Sequence, residues 1–125
     1  MTRVTVRAAA MDDVRAFYPE VSTSFRAWVA EVDGEVQGIV GIALTHPVAC
    51  AFAHIREPLR PCLKHPAVMR IVKKVQAVAA ASRMPVRTFE EPGEPKARRM
   101  LERFGFRYIG TESGNKVFEY AGSVK

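Results

Sequence analysis

One apolar stripe constrains this chain more than any other feature. From Pro66 to about Arg83, Val68, Ile71, Val72, Val75, Val78 and Ala79 recur at helical spacing, and Arg70, Lys73 and Lys74 fall off that face. The spacing predicts a long amphipathic helix. A strand-like alternation over residues 50–56 precedes it, with Cys50, Phe52, His54 and Arg56 on one face and Ala51, Ala53 and Ile55 on the other. A short buried-type strand over 86–89 follows, after Pro85. A strand, a helix and a strand in that order call for a parallel crossover. The chain must therefore build a sheet with a helix laid across it.

The flanking segments demand antiparallel pairing as well. Residues 25–32 and 35–44 read as strands joined by Asp33-Gly34, a strong two-residue hairpin signal because both positions accept positive φ. Gly38 and Gly41 inside the second strand point to a bulge or a close backbone approach. Upstream, residues 2–7 read as a strand and 8–17 as a helix. Asp12 and Asp13 suit that helix's positive start, and Val14, Phe17 and Tyr18 form its apolar face. Residues 20–24 and 57–65 read as loops, and Thr45-His46-Pro47 as a turn. Near the end, 106–110 and 116–120 form a hairpin across 111–115. The expected order is β-α-β-β-β-α-β-α-β-β, an α/β (or α+β) single domain over 1–125 with a mixed sheet flanked by helices.

Composition narrows the class. With 125 residues and 48% apolar content the chain can bury a true core. It holds no apolar run of the roughly 20 residues that span a bilayer, and residues 1–7 lack a signal peptide's apolar block. The expectation is a cytoplasmic protein with no membrane role. Cys50 and Cys62 have no metal-type spacing, three scattered histidines make no metal site, and both thiols are expected reduced. The net charge of +6 favours anionic partners. No helix-turn-helix, zinc or RNA-binding signature supports nucleic acid as that partner.

The segment from Pro85 to Gly110 carries the chemistry. Ala97, Met100, Leu101 and Phe104 mark one helical face, Pro95 suits the first turn, and Gly105 suits a left-handed stop before a strand opened by Phe106, Tyr108 and Ile109. A helix ending Leu-Glu-Arg-Phe-Gly-Phe, followed by a strand and Gly, resembles the C-terminal part of the GNAT superfamily of N-acyltransferases. The element order resembles that fold over nearly the whole chain, with the usual second N-terminal helix reduced to a loop.

The resemblance implies acetyl-coenzyme A as co-substrate and a primary amine, on a small molecule or a protein, as acceptor. It also admits a homodimer. The strand before the long helix would face the pantetheine arm through Ile55 and Arg56, beside His54. The turn into the helix would hold the pyrophosphate, with Ala67, Val68 and Met69 offering free amides and Arg60 and Lys64 adding charge. Lys73 or Lys74 would meet an outer phosphate. His54, Glu57, Glu90 and Glu91 are the candidate bases. Two departures stand beside this. The stretch from Arg60 to Ala67 has no glycine where the family places them, which weakens the expected cofactor site, and Leu101 stands where many members carry the tyrosine that protonates the leaving thiolate. Tyr108 and Tyr120 are candidate substitutes for that acid. The alternative reading is a catalytically inactive structural or interaction module of the same fold, for example in a bacteriophage or bacterial assembly.

Overall fold

The computed structural model describes residues 3–90 and 101–122. In chain order the elements are β1 (Val4–Ala8), α1 (Met11–Phe17), β2 (Phe25–Val32), β3 (Glu35–Ala43), β4 (Ala49–Ile55), a short 3-10 helix (Glu57–Cys62), α2 (Pro66–Ala81), β5 (Val86–Glu90), β6 (Phe106–Glu112) and β7 (Asn115–Tyr120). The expected order is met through all of these. The expected third helix lies mostly outside the described residues; its end is seen at residues 101–103, followed by Gly105 at φ 98°.

The seven strands form one sheet in the order β1-β2-β3-β4-β5-β7-β6. Neighbours run antiparallel except β4 and β5, which are parallel across the α2 crossover. Both faces are covered. Trp28, Ala30, Ile42, Ala49 and Ala51 face Val68, Ile71, Val75 and Ala79 of α2 in the main core. Ala27, Val29 and Ile39 face Val14 of α1, with Phe17, Tyr18 and Phe52 around them. The alternation along β2 is thus read by two helices on opposite sides.

Local chemistry explains the departures from expectation. α1 starts at Met11 because Ala10 is extended (φ −90°, ψ 169°) and its N–H donates to Asp13 Oδ2 at 2.8 Å. α2 stops at Ala81 because Ser82 turns extended, its hydroxyl engaged with the Met84 backbone at 2.8 and 3.2 Å. Residues 57–62 wind into a 3-10 helix where a loop was expected, since Leu59 drives inward to 2% exposure. The final hairpin is tighter than expected: Glu112 pairs with Asn115, and Ser113 and Gly114 turn at φ 50° and 82°. A serine-glycine pair is a hairpin signal of the same kind as Asp33-Gly34.

Gly38 and Gly41 do what their placement foretold. A side chain on Gly38 would collide with Leu59, and one on Gly41 would strike Ala27 and the Arg26 carbonyl. The register slips beside Gly38, where Ala30 pairs with Gly38 but Glu31 pairs with Val36. Gln37 is left as the extra residue of a β-bulge.

Candidate functional site

β4 and β5 begin as partners and then part. Their parallel pairing holds only Ala49 against Val86 and Cys50 against Arg87. Beyond that vertex β4 stays with β3 as far as Ile55, and β5 stays with β7 as far as Glu90. Residues 51–55 and 88–90 therefore face each other across a wedge with no ladder between them. Backbone donors and acceptors on such edges need partners. An extended, amide-bearing chain can supply them by strand addition. The wedge opens at the carboxyl ends of two parallel strands, the usual ligand position in sheets of this kind.

The bulge in β3 arranges one rim of this wedge. The freed Gln37 carbonyl accepts the Arg56 N–H at 2.9 Å, and the Val36 carbonyl accepts Arg56 Nη1 at 3.3 Å. Held at both ends, the Arg56 guanidinium lies 4.4 Å from the centre of the Phe17 ring. The His54 ring lies 5.4 Å from the same ring at 55°. The structure thus gathers His54 and Arg56 around the last residue of α1. Phe17 is legible in the sequence only as part of an apolar face; nothing in its spacing marks it as a platform for two basic side chains.

The other candidates fall in different places. Glu57 is 88% exposed and pairs with Arg60 at 3.4 Å, so the expected base and the expected phosphate ligand partly neutralise each other in solvent. Lys64 is exposed and has no ion-pair partner among the described residues. Ile55, Cys62 and Leu63 pack partly buried against the main core. Glu90 is the last residue of β5, its backbone opposite Lys116; Glu91 lies outside the described residues. Lys74 lines a groove between α2 and the β2–β3 pair.

Not every amide at the start of α2 is free, as had been expected. His65 is the N-cap, and its Nδ1 accepts the Ala67 N–H at 3.1 Å. The Met69 N–H donates to the His65 carbonyl at 3.0 Å. Among the described residues only the Val68 amide of the three lacks a protein acceptor. The signal for the cap was present: His65 stands directly before a proline in the first helical position, where an acceptor side chain belongs.

The two tyrosines fare unequally. Tyr108 sits on β6, the sheet's outer edge, two strand spacings and so about 10 Å from β5. Its hydroxyl lies 3.0 Å from Thr111 Oγ1. Tyr120 is on β7, next to β5, with its ring edge-on to Phe106 at 5.5 Å. Leu101 packs into the main core and holds no proton to give. At the wedge vertex, burial pushes the Cys50 thiol upward, which disfavours a thiolate nucleophile there.

No family sequence model matches the chain, and no curated protein sequence matches it. Solved structures do. The ribosomal-protein-S18-alanine N-acetyltransferase of Escherichia coli superposes with a TM-score of 0.68 over 98% of this chain and 96% of that one, at 10% identity. A GNAT-family acetyltransferase from Elizabethkingia anophelis, with acetyl-CoA bound, gives 0.65 over 94% and 97%, also at 10% identity. The GNAT domain of S. lividans PAT gives 0.65 over 92% and 88%, at 15% identity. The chain has the GNAT acetyltransferase fold.

Proposed function

We propose that this protein transfers an acetyl group from acetyl-CoA to a primary amine by direct attack. The parting of β4 and β5 beyond residues 50 and 87 carries the reading. On it, the facing edges of residues 51–55 and 88–90 hold the amide-bearing arm of the co-substrate, with Ile55 and Arg56 at the rim. The Val68 amide, helped by Lys64 and the helix dipole, meets the pyrophosphate. Arg60 serves less well because Glu57 already pairs with it, and Ala67 and Met69 contribute the frame of the turn.

His54 is the best-placed base, with Glu90 the second candidate. Only a neutral amine attacks, so the base removes a proton directly or through water. The amine nitrogen bonds to the acyl carbon, the carbon–sulfur bond breaks, and its electron pair leaves on sulfur. Water protonates the thiolate where Leu101 cannot. The half-buried Cys50 thiol, pushed upward by desolvation, favours direct transfer over an acyl-cysteine route. Small amines and protein amines are the acceptor classes to test, the second because the Escherichia coli relative in fold is named for an alanine of ribosomal protein S18.

Calorimetric titration with acetyl-CoA, followed by thiol release with an amine and peptide panel, tests the reading. Binding and turnover are expected, and H54A should lower kcat/KM by about 100-fold while leaving acetyl-CoA affinity intact. No heat at millimolar ligand with folded protein overturns binding and catalysis together. Binding without turnover on any acceptor overturns the transferase.

A further inference from the structure

A second concavity lies away from the wedge. It measures about 700 Å³ and runs between the C-terminal half of α2 and the β2–β3 pair, with Arg26, Trp28, Ile42 and Leu44 on the sheet side and Lys74, Ala77, Val78, Ala81 and Ser82 on the helix side. The sequence explains why the space is there. Ala77 and Ala81 are one turn apart and small, so the helix wall over Trp28 has nothing to fill the gap. Leu44 is left 37% exposed at its end. The groove is open to solvent, so an occupant would lie along it rather than be enclosed.

Its chemistry is one-sided. The floor is apolar, and both charged residues in the lining are cations. The Arg26 guanidinium lies 5.8 Å from the Trp28 ring centre. Neither Arg26 nor Lys74 has a carboxylate partner among the described residues. The Ser82 hydroxyl is already engaged with Met84. We infer that this groove binds an amphipathic organic anion, a carboxylate with an aliphatic or aromatic body. The body lies over Trp28, Ile42 and Val78, and the carboxylate reaches Arg26 and Lys74. Charge complementarity selects this occupant: an apolar helix without an acid would leave both cations unanswered, and a cationic ligand would be repelled.

Trp28 is the sole tryptophan and reports on the groove directly. Titration with sub-micellar decanoate should change its emission saturably, while decanol and decyltrimethylammonium bind much more weakly. R26Q/K74Q should weaken decanoate binding about tenfold. A77L, on the solvent-exposed helix wall, should abolish binding by filling the groove, with its thermal transition kept as the control for folding. Saturating acetyl-CoA should leave the decanoate titration unchanged, which separates this site from the wedge whether or not the protein is a transferase. Equal affinity for decanol, retained binding in folded A77L, or displacement by acetyl-CoA overturns the inference. So does a Trp28 signal that depends on protein concentration alone, since a second copy would then be the occupant.

Discussion

Asp13 ties two elements together with one carboxylate. Its oxygens accept from Arg7 Nη1 and Nη2 at 2.8 and 2.9 Å, joining α1 to β1, and from the Ala10 N–H at 2.8 Å, closing the first turn. The Arg7 hydrogen bonds first, and then the Ala10 amide, hold its pKa below the ordinary carboxylate value. A depressed folded-state pKa contributes stability above the unfolded pKa, and that contribution is lost as pH falls through the folded value. D13N should therefore cost about 1 kcal/mol near neutrality. The gap between wild type and D13N should close as pH drops below about 4, which denaturant melts across that range would measure. His54 and Arg56 make the opposite point about single residues. Their side chains meet on Phe17, and Arg56 is held there by carbonyls at the bulge in β3.

Elements were legible in the sequence where periodicity or turn chemistry was strong. The α2 stripe, the Asp33-Gly34 hairpin and the crossover into β5 all follow from side-chain spacing, which local backbone geometry obeys directly. The candidate site was legible only in part, because its features arise between elements. The wedge is a failure of pairing after two residues, and no side-chain pattern records where a ladder stops. Nor does the sequence record that strand order, not sequence distance, puts Tyr108 on β6 at an edge of the sheet. The start of α2 shows the same limit on a smaller scale: three consecutive residues look equivalent, yet the imidazole before them engages one amide and its carbonyl another. H65A should destabilise the protein by about 1 kcal/mol through loss of that cap. A chemical denaturation curve with an unchanged slope would show that the native fold is otherwise kept.

At the scale of the molecule, two cores share one sheet. Ile39 belongs to the α1 side and Ile71 to the α2 side, each nearly sealed from solvent. If the sheet couples them, I39A and I71A should each cost about 3 kcal/mol and shift one common transition. Far-UV circular dichroism and Trp28 emission should then melt together. Separate midpoints would show that the faces unfold apart. The coupling is uneven, however. The sheet is two plates joined at a single corner, residues 49–50 against 86–87, and α2 lies chiefly over the β1–β3 side of that joint. With only two residue pairs holding the plates, a chain laid between them would bridge both edges and act as a gusset. At a hundredfold excess over its Kd it would brace the whole structure by about 2.7 kcal/mol.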